Sequence, residues 1–298
     1  MFDAFLAAWL LTAAAISAAP SQDAARPPAA SDVRTRDVYV SVLDNKGNPV
    51  PGLTAADFVV REDGVSREVV RAAPATAPMQ VVLLVDDSQA LTPAIQPMRE
   101  GLTRFVDKLQ GHGEIGVVTF GDRATSLVPS TTNVEAVKTA VNRIFPRPGA
   151  GGYLLDAILE VSQGFARRKA ERPVIVAVTL EGVEFSNLQY DTVLEALQAS
   201  GATLHVLSVG MPSGSLSDET RNLNMVIAEG TKRSGGRRDQ VMAISGLPEA
   251  LSKAADDLLN QYVVTYGRPD TLIPPGKLEV TVTRPGATAR ARTRIASR

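Results

Sequence analysis

The residues best equipped for chemistry stand just beyond apolar runs. Gln80–Asp86 (QVVLLVD) opens into Asp86-Asp87-Ser88-Gln89-Ala90, and the run through Val174–Thr179 opens into Leu180-Glu181-Gly182-Val183-Glu184. Two carboxylates at facing strand ends are the equipment of general acid/base hydrolysis, so Asp86 with Glu181 offers glycosidase-like chemistry if the spacing is right. Ser88 has the hydroxyl of a nucleophile but no Gly-x-Ser-x-Gly elbow around it. A third loop reads Pro148-Gly149-Ala150-Gly151-Gly152-Tyr153. Its glycines permit backbone conformations closed to other residues, exposing Tyr153 and nearby amides. A tyrosine beside carboxylates suits protein recognition, because tyrosine is common among interface hot spots.

Composition removes many alternatives. The chain of 298 residues has no cysteine, so disulfides, thiolate metal sites and cysteine nucleophiles are excluded. Two histidines, His112 and His205, cannot build a multi-histidine metal cage. His205 lies in an apolar strand and reads as a hydrogen-bonded structural residue, while His112 reads as an exposed loop residue. With 31 Lys and Arg against 32 Asp and Glu, net charge supplies no general attraction to nucleic acid or anionic membranes. No P-loop occurs, and no Gly-x-Gly-x-x-Gly follows a strand.

The elements that must position these loops alternate. Gln80–Asp86, Ile115–Phe120, Val174–Thr179 and Leu204–Val209 read as buried parallel strands, with Gln240–Ile244 as a further candidate. Helical spacing runs through Ile95, Met98, Leu102, Phe105 and Leu109, then Val134 to Ile144, Leu154 to Phe165, Leu223 to Ala228 and Leu247 to Leu259. This predicts an α/β, Rossmann-like, doubly wound and mostly parallel sheet over about 78–260. Both flanks are β-like instead. Val38, Val40 and Val42 alternate with polar residues, Glu62-Asp63-Gly64 signals a hairpin, and Leu278, Val280 and Val282 alternate again. Neither flank has enough strands to be stable alone, so 37–75 and 261–298 are expected to form one small β-sandwich around the central unit. The Arg290, Arg292 and Arg294 ladder reads as a solvated strand face that discourages aggregation, and Lys232-Arg233…Arg237-Arg238 as a solvated loop.

Taken in order, VLDNKGNPVPGLTAADFVVREDG, VVLLVDDSQA, GHGEIGVVTFGDRA, PGAGGYLLDAI and QYVVTYGRPD resemble the von Willebrand factor type A domain, and more closely its acidobacterial relatives set in a β-rich frame. The resemblance spans nearly all of the chain beyond residue 36. It implies a metal-ion-dependent adhesion site built from Asp-x-Ser-x-Ser, a threonine after paired glycines, and a later aspartate. Such hard oxygen ligands suit Mg²⁺. Asp86 and Ser88 match that pattern, but Ala90 replaces the second serine, Tyr153 the threonine and Glu181 the aspartate. The implied site, Asp86, Ser88 and Glu181, is degenerate, holding Mg²⁺ or Ca²⁺ weakly if at all, with no other cofactor expected. In that setting Tyr153 either anchors a partner or fills the volume of the missing ion.

The expectation is a non-catalytic protein-binding module for adhesion or scaffolding. Its partner, another protein rather than nucleic acid, would dock on Asp86, Asp87, Ser88, Gln89, Gly151, Gly152, Tyr153, Glu181 and Glu184. An envelope hydrolase using the carboxylate pair, or an inert structural component, are the alternatives. Residues 1–19 contain the apolar stretch FLAAWLLTAAAISAA and read as a signal peptide or an uncleaved anchor, which is the only expected tie to a membrane. Residues 20–36 read as a disordered linker. Export follows, to the periplasm, the cell envelope or the outside.

Overall fold

A computed structural model describes residues 33–210, 217–269, 273 and 275–294. The proposed signal peptide or anchor, and most of the proposed linker, lie outside them. Strand β1 (Val33–Asp44) already begins inside that linker stretch, because Val33–Asp37 pairs with Thr265–Pro269. Backbone pairing, not side-chain hydrophobicity, makes those first residues a strand.

The frame is assembled from both flanks. It comprises β1, β2 (Phe58–Glu62), β3 (Val65–Arg67) and β4 (Val69–Pro74), and after the central unit β11 (Tyr262–Pro269), β12 (Leu278–Val282) and β13 (Ala287–Ala291). The sheets are ordered β13-β1-β11-β4 and β12-β2-β3. Val38, Val40 and Val42 share one buried face and meet Phe58, Val60, Val264, Leu278 and Val280. The β2–β3 hairpin turns on Asp63 and Gly64, both at positive φ, the conformation that the Asp-Gly pair accommodates.

Between the flanks lie β5 (Met79–Val85), β6 (Gly113–Thr119), β7 (Thr125–Thr131), β8 (Pro173–Leu180), β9 (Thr203–Val209) and β10 (Arg238–Val241). Their order is β10-β9-β8-β5-β6-β7, parallel throughout except for β7. Helices α1 (Ile95–Leu109), α2 (Val134–Asn142), α3 (Leu154–Arg168), α4 (Tyr190–Ser200), α5 (Asp218–Met225), α6 (Thr231–Ser234) and α7 (Leu247–Leu259) cover it. Met98, Leu102 and Phe105 of α1, Val141 of α2 and Leu251 of α7 pack on one face; Leu155 and Ile158 of α3 and Leu197 of α4 pack on the other. Burial on both faces explains the unbroken apolar runs of β5 and β8. Edge strand β7 and helix α4 were not legible in the sequence: Pro129 interrupts the first, and only Val193, Leu194 and Leu197 mark the second.

Two surface readings are corrected. Two of the three ladder arginines are docked: Arg290 ion-pairs with buried Asp257 of α7, and Arg292 donates to the Gly201 carbonyl (2.6 Å) beyond α4, while Arg294 is exposed as expected. Ala289 and Ala291, which alternate with Arg290 and Arg292, pack against the frame core, so these two arginines lie on the face toward the central unit. The basic loop is docked at Arg233 and Arg237, while its Lys232 and Arg238 are exposed as expected. Thr293 N–H donates to the Arg233 carbonyl (2.9 Å), and Arg237 pairs with Asp239 (2.5 Å). His205 is buried as expected of a structural residue, but its Nε2 has no hydrogen-bond partner among the described residues. Burial lowers its pKa to about 4 and keeps it neutral. Arg172 secures both crossings between the two parts, donating to the carbonyls of Ala77 (2.8 Å) and Leu258 (3.1 Å) and to Gln261 Oε1 (2.9 Å).

Candidate functional site

Strand order reverses direction at β5, since β6 lies on one side and β8 on the other. Ligands of open α/β sheets bind at such a switch point, outside the carboxyl ends of the strands. The loops after β5, β6 and β8 and the loop before α3 meet there.

Asp86 is only 2% exposed. Its Oδ1 accepts Ser88 N–H (2.9 Å) and its Oδ2 accepts Leu180 N–H (3.1 Å), so the carboxylate joins the end of β5 to the end of β8. Burial raises its pKa, opposed by hydrogen bonds from the Ser88 side chain and the two amides and aided by adjacent Asp87. Asp87 is also buried: Oδ1 accepts Gly121 N–H (2.6 Å) and Oδ2 pairs with Arg147 Nε (2.8 Å). A Cβ on Gly121 would lie 2.5 Å from Ser88 N, so only glycine permits that approach. Gln89 is exposed and spans to the neighbouring loop, donating to the Ala150 carbonyl (3.2 Å) and accepting Gly149 N–H at Oε1 (2.9 Å).

The glycine loop is sewn to the loop after β8. Gly152 N–H donates to the Val183 carbonyl and Phe185 N–H to the Gly152 carbonyl, each at 2.8 Å. A Cβ on Gly151 would sit 2.0 Å from the Phe185 ring, so that glycine is the space the ring occupies. Tyr153 is half-buried and stacks on Phe185, centroids 5.9 Å apart at 28°. Tyr153 gives helix α3 no side-chain cap. Glu184 supplies one instead, accepting Leu154 N–H (3.3 Å) and Leu155 N–H (3.4 Å), and Ser186 Oγ accepts Asp156 N–H (3.3 Å). A carboxylate at a helix N-terminus is favourable in itself, but burial outweighs those long hydrogen bonds and pushes the Glu184 pKa up to about 7.

Glu181 differs: it is exposed, and its side chain lies over Gly210, whose added Cβ would be 3.0 Å from Oε2. Asp86 and Glu181, the pair considered for acid/base work, therefore stand in opposite settings, one enclosed and the other open. The donor set does not fit a small divalent cation. Both Asp86 oxygens already accept amides, Ala90 offers a methyl packed on the core, and Tyr153 offers a stacked ring. Among the described residues no three His, Cys, Asp or Glu side chains gather as a metal group.

Sequence reasoning missed Gly121, Arg147 and Ser186, which carry no local signal of their own. Val183 and Phe185 had one: apolar residues in a loop beyond a strand end. They are 63% and 49% exposed, and a groove beside them is lined by Gly182, Glu184, Ser217, Glu219 and Thr220.

Residues 81–181 match the family model described as von Willebrand factor type A domain. This identifies residues 81–181 as von Willebrand factor type A sequence, and the doubly wound sheet that contains them has the matching fold. The chain is also 27% identical over 170 residues to the UPF0353 protein of Mycolicibacterium paratuberculosis (strain ATCC BAA-968 / K-10), covering 51% of this chain and 50% of that protein. It thus spans about half the length of that curated relative. The von Willebrand factor type A structure from Catenulispora acidiphila shares the fold at a TM-score of 0.50 and 12% identity, covering 89% of this chain and 75% of its own. Proximal thread matrix protein 1 from the mussel byssus aligns at a TM-score of 0.49 and 16% identity, covering 63% and 49% respectively. No helix among the described residues is long and apolar enough to cross a membrane.

Proposed function

We propose that this chain is an exported, non-catalytic protein-binding module that recognises its partner with the carboxyl-terminal rim of the central sheet and without a resident metal. The observation that carries this reading is the rim's surface chemistry. Val183 and Phe185 stand exposed, Tyr153 stacks on Phe185, and Gln89 and Glu181 supply polar groups around them. An aromatic centre with a polar border is the composition of an interface hot spot. The loops beneath are held by Asp86, Asp87 and Glu184, so these carboxylates act as internal ties, and little ordering cost remains for binding.

The test is affinity capture from an envelope extract of the source organism, with the chain as bait and quantitative mass spectrometry as readout. Phe185→Ser and Tyr153→Ala should remove the specific partner, whereas Arg104→Ala on the far side of α1 should keep it. Capture unchanged by both rim variants refutes the assignment of the surface. Turnover of envelope polysaccharide or peptide lost with Asp86→Asn would replace this reading with the hydrolase.

A further inference from the structure

Three sheet edges converge on one cleft. Among the described residues β12 is laddered only to β2, β13 only to β1 and β10 only to β9. Residues of all three strands line a cleft of about 870 Å³.

The orientation of the β12 backbone follows from its neighbours. Asp63 N–H donates to the Lys277 carbonyl and Thr283 N–H to the Asp57 carbonyl, each at 2.9 Å, so odd-numbered positions address the β2 side. Leu278 N–H instead donates to the Thr293 carbonyl (2.8 Å), so even-numbered positions turn away from β2. Val280, in the middle, therefore directs both its N–H and its C=O away from β2, and the residue as a whole is 8% exposed. Across the cleft, Val206 N–H donates to the Arg237 carbonyl (2.8 Å) and Gly210 N–H to the Val241 carbonyl (3.0 Å). The Arg238 backbone between them thus also faces outward.

The cleft has a definite electrostatic sign although the chain is nearly neutral. Lys232, Arg237, Arg238, Lys277 and Arg290 line it against Asp239 and Glu279. Lys232 and Arg238 are exposed and, among the described residues, have no ion-pair partner. Arg238 sits on the edge strand β10, where its charge also guards that edge, and Lys232 sits on α6. Here the unpaired cations face β12 from the opposite wall, where a chain lying along β12 would meet them.

We propose that this cleft accepts an extended acidic segment of another protein as an added strand on β12. The Val280 backbone supplies the ladder, and Lys232 and Arg238 select carboxylates, the division of labour of strand addition.

Fluorescence anisotropy of the full chain with a fluorescein-labelled heptapeptide of alternating glutamate and threonine tests it. Saturable binding is expected, weakening with salt and falling about tenfold or more for K232E/R238E. Both positions are exposed, so an unchanged melt of that variant establishes that it folds. The same peptide with N-methyl groups at alternate amides should lose about as much, because it cannot form the ladder. Hydrogen exchange should show new protection at the Val280 amide. The proposal is overturned by lack of saturation at millimolar peptide, by equal binding of a lysine–threonine peptide, by undiminished binding to the double variant, or by undiminished binding of the N-methylated peptide. That last result would identify a general polyanion surface.

Discussion

Replacing Glu184 with glutamine isolates one buried charge. The Glu184 carboxyl titrates near 7 when folded, against an ordinary value of 4.5. Between those values the unfolded chain has already released the proton that the folded chain retains, so folding stability falls as pH rises. The stabilisation is complete below about 4.5 and lost as pH passes through about 7. A separation of about 2.5 units corresponds to about 3 kcal/mol. Glu184→Gln cannot ionise and keeps an acceptor for the α3 amides. Its stability relative to the native chain should therefore rise by about 3 kcal/mol between pH 4.5 and 8.5, whatever constant offset the amide introduces. Urea unfolding of both proteins across that range measures the difference, in which all other titrations cancel. A difference independent of pH, or one that moves against the variant as pH rises, refutes the burial argument.

Asp86→Ala leaves the buried amides of Ser88 and Leu180 unpaired and should cost about 1–3 kcal/mol for each. Melts of the native chain should be the same in EDTA, Mg²⁺ or Ca²⁺, since a site saturated a hundredfold would add about 2.7 kcal/mol; a saturable rise abolished by Asp86→Ala would restore the metal. Gly151→Ala places a methyl 2.0 Å from the Phe185 ring and 2.9 Å from the Val183 carbonyl and should cost about 1–3 kcal/mol, the ring's part of it recovered in a Gly151→Ala/Phe185→Ala double variant measured by urea unfolding. Arg290→Ala leaves Asp257 buried without its ion pair and should cost about 3–5 kcal/mol, with partial recovery when Asp257→Asn is added; additive losses would contradict the pairing.

The sequence by itself determined the layers and the elements that carry the candidate site. Continuous apolar runs at β5 and β8 are the mark of strands covered on both faces, and alternating valines in β1 mark a strand covered on one. Burial acts residue by residue along the chain, so these patterns are local and readable. Asp86, Ser88 and Glu181 could be assigned to loops at strand ends for the same reason, and Tyr153 to a glycine-rich loop before a helix. What each side chain does there was decided only by tertiary structure. Glu184 caps a helix that begins thirty residues earlier, Asp87 pairs with Arg147 sixty residues away, and Arg290 reaches Asp257 from the frame. A carboxylate reads identically in sequence whether it faces water, an amide or an arginine; the fold's long-range approach of chain to chain fixes its desolvation and its partner, and these two terms set its chemistry.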